Sequence, residues 1–305
     1  MSMNLIETHD LTKKYSGNVV VNRVNMHIPE GSIYGFVGEN GSGKTTIMRL
    51  LTGLAEPNGG SFEMFGVSNT DRRIHGMRKQ MSAIVEATSL IPTMTAKENM
   101  IFQELYLGIS LSDQERDELL KKVRLDGVGN KKVKNFSLGM RQRLGIALAL
   151  MNHPKLMLLD EPMNGLDPQG IAELRDLLVE LNKTEHITVL ISSHILSELE
   201  KIASHYGFIS HGRLIEELTL EELQDKGRKS LTLYVDDREK AEALFKKMKV
   251  NDFKSSSSGE ICIYDDVDIG EIVGKLHENN IKILSIRSSE ESVEEYYLSL
   301  IKEVY

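Results

Sequence analysis

Gly38-Glu39-Asn40-Gly41-Ser42-Gly43-Lys44-Thr45 is the stretch that decides how this chain folds. It fits G-x-x-x-x-G-K-[ST], and an apolar run, Ile33 to Val37, leads into it as a strand feeding a phosphate-binding loop should. Gly41 and Gly43 permit a sharp turn that points backbone N–H groups inward, where a β-phosphate would sit. Lys44 supplies a mobile positive charge for the β- and γ-phosphates, and Thr45 a hydroxyl for Mg²⁺. Thr46 to Leu54 reads as a helix whose N-terminal dipole favours the same anion. From average residue usage, a chance match in a chain this long is about one in a hundred, and the flanking strand and helix lower that further.

Working outward, residues 1–222 behave as one nucleotide-binding unit. Short β-like runs (Val19 to Ile28, Ser32 to Val37, Met81 to Val85, Lys155 to Leu159, Thr188 to Ser192, Tyr206 to Ser210) alternate with helical stretches. That alternation implies an α/β fold with a mostly parallel sheet core, N-terminal antiparallel strands and covering helices. Leu156-Met-Leu-Leu159 and the run before the loop are almost wholly apolar, as central strands buried on both faces should be. Residues from about 95 to 150 are nearly strand-free and read as a helical subdomain. Residues 223–305 change character: the order strand, helix, strand, helix, strand, helix reads as a small α+β accessory module of β-α-β-β-α-β type. Its elements are Ser230 to Val235, Arg238 to Met248, Ile261 to Tyr264, Ile269 to Asn279, Ile281 to Ile286 and Val293 to Lys302, with Ser255 to Ser258 as a loop or strand end.

The chain has 305 residues, 40% hydrophobic and 27% charged, with a formal net charge of −8. That balance argues against nucleic acid as a partner, since phosphate neutralisation needs a basic face. Lys131, Lys132 and Lys134 read as a solvated face rather than a binding patch. The single cysteine, Cys262, excludes an internal disulfide and reads as a buried strand residue. Neither a basic-then-apolar leader nor an apolar run near the ~20 residues that span a bilayer is visible. Any membrane role is expected to be played from the cytoplasmic face through a partner.

A second constellation completes the chemistry. Leu156-Met-Leu-Leu-Asp160-Glu161 is an apolar strand ending in two acids, at the sheet edge where the loop would stand. Asp160 is placed to bind Mg²⁺, and Glu161 to orient, or accept a proton from, a water attacking the γ-phosphorus. Standing alone, such a pair would read as an exposed acidic strand end; behind a phosphate loop it reads as catalytic.

At these residues the chain resembles the ATP-binding subunits of ABC transporters. Phe136-Ser-Leu-Gly-Met-Arg-Gln-Arg143 is similar to their signature motif, Asn164-Gly-Leu-Asp167 to the D-loop, and Ser192-Ser-His194 to the switch histidine. Tyr15 stands where the family places an aromatic that stacks on adenine. The resemblance implies that Ser137, Leu138, Gly139 and Met140 serve the nucleotide held by a second subunit, so that two ATP molecules are sandwiched head to tail. It implies His194 on the γ-phosphate and the attacking water, Asp167 in the D-loop, and transmembrane permease subunits as partners. A homodimer is expected, with a heterodimer as the alternative.

Two departures narrow the resemblance. Where the family has a glutamine that touches Mg²⁺, this chain has Glu86, a harder and charged ligand for the metal. The signature carries Leu138 for a usual glycine and Met140 for a usual glutamine. With these features the chain is similar to the bacitracin-export and lantibiotic-immunity group. Other ABC exporters, importers and soluble ABC ATPases are the rival readings. The last would need tandem nucleotide units or a long coiled-coil insertion, and neither is present in the sequence.

Overall fold

The computed structural model describes residues 3–86, 88–226, 230–250, 252–256, 260–265, 267–289, 296–297 and 299–300. The chain divides into two compact units, Met1–Leu220 and Glu221–Tyr305.

The first unit is built on a six-stranded sheet in the order Arg213–Thr219, His205–Ser210, Ile33–Val37, Thr188–Ser193, Leu156–Leu159, Met81–Ile84. Its strands run parallel except for Arg213–Thr219, which returns antiparallel at one edge. Ile33–Val37, Leu156–Leu159 and Thr188–Ser193 are buried along their whole length. Residues of this kind cannot alternate between core and solvent, so their apolar runs mark strands covered on both faces. Parallel strands bring their C-terminal ends to one edge, which is where Gly38, Asp160 and His194 emerge.

A second, antiparallel sheet orders Asn18–Val24, Asn4–Tyr15, Gly59–Met64 and Val67–Ser68, with His27–Pro29 also pairing with Asn4–Tyr15. The expected single strand from Val19 to Ile28 is therefore two. The break falls at Asn25 and Met26, where Asn25 Oδ1 accepts from the Asp10 N–H at 2.7 Å. The two sheets are joined at Glu217, whose Oε1 accepts from the Tyr34 hydroxyl at 2.6 Å and from the His27 N–H at 2.8 Å. Burial, reinforced by Glu217, pushes the Tyr34 phenol well above its ordinary pKa, so it stays a donor.

Between these elements the chain from Thr95 to Leu150 is helical: Ala96–Leu107, Asp113–Lys122, a 3₁₀ turn at Val133–Asn135, and Leu138–Leu150. Thr95 and Ser112 each start their helix with a reciprocal capping box, closed by Glu98 and Glu115. Glu104 and Arg116 brace the first two helices through a pair that is nearly buried on both sides, 6% and 12% exposed.

The second unit carries a four-stranded antiparallel sheet in the order Phe253–Ser255, Glu260–Ile263, Ser230–Val235, Ile283–Ser289. The helices Arg238–Lys247 and Ile269–Glu278 supply Phe245, Ile272 and Leu276 to a core with Leu233, Ile261 and Ile263. Cys262 corrects its expectation. With Ile261 and Ile263 in the core, strand alternation turns Cys262 to the opposite face, where it is only half-buried beside Thr232. Ser257 and Ser258 lie outside the described residues, as does most of the expected helix Val293 to Lys302, of which Tyr296, Tyr297, Ser299 and Leu300 are described as helical. Among the described residues no helix is long and apolar enough to cross a membrane.

Candidate nucleotide site

The loop from Gly38 to Gly43 is fixed by its backbone. The Gly38 N–H donates to Ser193 O at 3.3 Å, and the Gly212 N–H to Ser42 O at 2.8 Å. A Cβ at Gly38 would come within 2.5 Å of the Ile209 carbonyl, so only glycine fits against that strand. Gly41 and Gly43 take φ of +84° and +114°. Glu39, Asn40 and Gly41 form the exposed crest of the loop, while Ser42 and Gly43 are buried. The helix begins at Lys44 and runs to Thr52, and no side chain caps its start. Its first-turn N–H groups are thus left for an anion. Thr46 packs inside.

Lys44 is buried, its Nζ donating to the carbonyls of Gly38 at 2.5 Å and Glu39 at 3.1 Å and lying 3.3 Å from Glu161 Oε1. Thr45 Oγ1 donates to Asp160 Oδ2 at 2.7 Å, which joins the first helix of the chain to a strand far along it. Glu161, at φ +48°, turns back from the strand end so that Oε2 lies 2.8 Å from His194 Nδ1. Lys44, Thr45, Asp160, Glu161 and His194 therefore form one connected polar network.

Two partners of the site's acids were not singled out from the sequence. Ser192 Oγ donates to Asp160 Oδ1 at 2.7 Å and accepts from the Glu161 N–H at 2.8 Å, holding both acids. Its signal was a hydroxyl inside the buried run Thr188–Ser193, since a buried hydroxyl needs a partner. Arg49 forms an ion pair with Glu86, a residue at φ +71°. No local pattern joins those two positions.

Glu86 lines a cavity of about 670 Å³ together with Leu138, Arg141, Asp160, Glu161 and Asn164. Among the described residues no three His, Cys, Asp or Glu side chains are grouped to hold a metal. The donor set at the loop still fits Mg²⁺, which is held by one or two protein oxygens plus substrate phosphates rather than by a protein cage. Thr45 Oγ1 and Asp160 Oδ2 are hard oxygens side by side, and the buried Ser42 Oγ has no hydrogen-bond partner.

Tyr15 ends the strand Asn4–Tyr15, is 40% exposed, and has Lys13 Nζ 5.1 Å from its ring centre. The neighbouring strand brings the Val20 carbonyl within 3.0 Å of where a Gly43 Cβ would stand, so Tyr15 and the loop share one side of the unit.

The signature residues stand apart from that network. Ser137 caps the helix Leu138–Leu150, accepting from the Met140 N–H at 3.2 Å. Asp167 likewise caps Pro168–Glu185, accepting from the Gly170 N–H at 2.9 Å. Ser137, Leu138, Gly139, Met140, Gly165 and Asp167 line a separate cleft of about 470 Å³. Leu138 lines both this cleft and the catalytic cavity. None of the described contacts joins Ser137 or Gly139 to the phosphate loop.

Comparison with known proteins agrees with this geometry. The ABC transporter family model matches residues 21–164. The bacitracin transport ATP-binding protein BcrA of Bacillus licheniformis is 41% identical over 299 residues, 97% of each chain. The lantibiotic transport ATP-binding protein SrtF of Streptococcus pyogenes is 44% identical over 213 residues, 70% of this chain and 90% of its own. Among solved structures, a dimeric post-hydrolysis state of the ATP-binding cassette MJ0796 bound to ADP and Pi superposes with a TM-score of 0.63 at 26% identity, covering 70% of this chain and 98% of that one. A phosphate loop wired to a paired acid and a histidine is carried here on a sequence like those, and the chain belongs to the ABC transporter family, as an ATP-binding and ATP-hydrolysing subunit.

Proposed function

We propose that this subunit powers an exporter that protects its cell from antimicrobial peptides such as bacitracin or lantibiotics. One observation carries the reading: the likeness to a bacitracin transport ATP-binding protein covers 97% of both chains, including the C-terminal unit, not the ATPase core alone.

In this reading two copies of the chain close on two ATP molecules. In one copy Lys44 leaves the carbonyls of Gly38 and Glu39 for the β- and γ-phosphates, the loop amides cradle the β-phosphate, and Tyr15 stacks on adenine. From the other copy, Ser137 and the Gly139 N–H reach the γ-phosphate at a helix start. Glu161 orients the attacking water, and His194, whose Nδ1 lies 2.8 Å from its carboxylate, hydrogen-bonds the γ-phosphate and that water. Thr45 and Asp160 would hold Mg²⁺, with Glu86 as a third oxygen donor; the cation, when bound, neutralises developing charge on the phosphates.

The permease helices would dock at the inner face of the membrane, in a groove of about 650 Å³ lined by Leu54, Val85, Leu90, Phe102 and Tyr106 among others. Leu105 and Tyr106 are 76% and 82% exposed, large apolar surfaces that a partner would cover. The groove borders Glu86 through Val85, which gives nucleotide closure a short path to the membrane subunits.

The test is expression with the membrane partner in a sensitive bacterium, followed by challenge with bacitracin, nisin-like peptides and unrelated drugs. Protection against the peptides that disappears with Lys44→Ala supports the reading. Unchanged sensitivity to every peptide overturns the assignment of cargo and leaves the ATPase standing.

A further inference from the structure

The acids beside the catalytic cavity have unequal partners. Asp160 is held by two neutral hydroxyls, Thr45 and Ser192. Glu161 is shared between Lys44 and His194. Glu86 alone has a guanidinium: that of Arg49, on the same helix whose first residues are Lys44 and Thr45. The backbone at Glu86 sits at φ +71°, a region that residues with a Cβ seldom enter. While it faces Arg49, Glu86 does not join Asp160 and Glu161 in a metal-binding group.

We propose that Arg49 is a positioning residue that competes with the Mg²⁺ of bound nucleotide for the carboxylate of Glu86. The inference rests on the reading of Glu86 as a metal ligand. Mg²⁺ demands a tight octahedron of oxygens, so a carboxylate committed to a guanidinium must give up that pair to enter it. Charge balance makes the exchange economical, because the cation replaces the guanidinium as counter-charge to Glu86. A glutamine at this position would have no such competitor, since an amide forms no ion pair with Arg49. The consequence is a threshold: the metal concentration at which nucleotide is fully held is set by Arg49 as well as by the ligands.

The experiment uses the full chain in a Glu161→Gln background, so that nucleotide is not consumed. A methylanthraniloyl-labelled ATP reports binding as Mg²⁺ is titrated, and Mn²⁺ binding is followed by electron paramagnetic resonance. For an exposed pair, Arg49→Gln is expected to lower the metal midpoint about two- to fivefold. Arg49→Lys, which keeps the charge without the fork, should fall between. Glu86→Gln should raise the midpoint and abolish any effect of Arg49→Gln made on top of it. A midpoint that does not fall with Arg49→Gln, while Glu86→Gln still raises it, overturns the competition and leaves Glu86 a ligand. A midpoint unmoved by Glu86→Gln overturns both. Metal-free binding of the labelled ATP shows in each variant that the fold is intact.

Discussion

The two halves of the nucleotide machinery are made differently within one chain. Around the phosphate loop, Lys44, Thr45, Asp160, Glu161, Ser192 and His194 come from a helix start, two strand ends and a switch loop, and they satisfy one another inside the unit. Around the signature, Ser137 and Asp167 are exposed helix caps whose side chains each accept a hydrogen bond from the N–H three residues along their own helices. The first half is integral to the core, and its geometry is fixed by folding. In the reading proposed above, the second is a surface of helix starts that gains a ligand only when another copy brings one. A half-site bound into the core would then hold nucleotide alone, and a presenting half-site would act only in the dimer.

The largest expected effects test whether that division is real. Glu161→Gln should lower steady ATP turnover by about 10²–10⁴-fold while labelled ATP still binds, as is usual for loss of a group that assists proton transfer. Turnover at the wild-type rate would remove Glu161 from its role. Ser137→Ala should leave nucleotide binding by the single chain unchanged yet lower turnover of the permease-bound dimer, by about 10²-fold if it acts like one lost transition-state donor. Weakened binding in the isolated chain would mean that the signature half also works in cis, and the contrast would collapse.

Next in size is the brace beneath the signature half. Glu104 accepts from Arg116 at 2.6 and 2.8 Å, and Arg116 holds its carboxyl below the ordinary range. A lowered folded-state value means that this stabilisation is complete above the ordinary carboxylate pKa and is lost as pH falls through the folded one. Glu104→Gln should cost about 2–3 kcal/mol at neutral pH, because it leaves a nearly buried guanidinium half-paired. The difference from wild type, measured by denaturant unfolding, should shrink on acidification. A difference constant from pH 7 to 3 would contradict the assignment.

The smallest effect falls on the one residue common to both cavities. Leu138 packs against Gly165, where an added Cβ would come within 3.2 Å of Leu138 Cδ2, so the signature and the D-loop touch through it. Leu138→Gly should leave nucleotide binding untouched and shift the ATP concentration for dimerisation about two- to fivefold, the scale of a partial loss of one half-exposed leucine. Sedimentation of the Glu161→Gln form with ATP would measure it.

Much of this was legible without coordinates. The loop and the paired acids stand out because each follows a strand in a fixed local order, turn and helix for the one and an acid pair for the other, whereas His194 was named by the family resemblance alone. Wholly apolar runs announced the buried parallel strands for the same reason. In the second unit three strands and two helices followed from their patterns, while the short edge strand Phe253–Ser255, three residues long and partly exposed, carried no alternation to announce it. What failed were judgements about direction and pairing. Cys262 stands in an apolar run, yet its face is decided by which of its neighbours meets the helices. The break at Asn25 and Met26 depends on a contact with the strand opposite, the Asp10 N–H donating to Asn25 Oδ1.

By itself, then, the sequence determined most of the order of elements and named the candidate reactive groups, since both are carried by short segments with their own backbone and side-chain chemistry. Only the tertiary structure decided who partners whom. Ser192 bridges the two acids, Arg49 takes Glu86, and Leu138 stands between two cavities because parallel strands deliver residues far apart along the chain to a single edge. Hydrogen bonds and ion pairs act over a few ångströms of space, and distance along the chain says little about that separation.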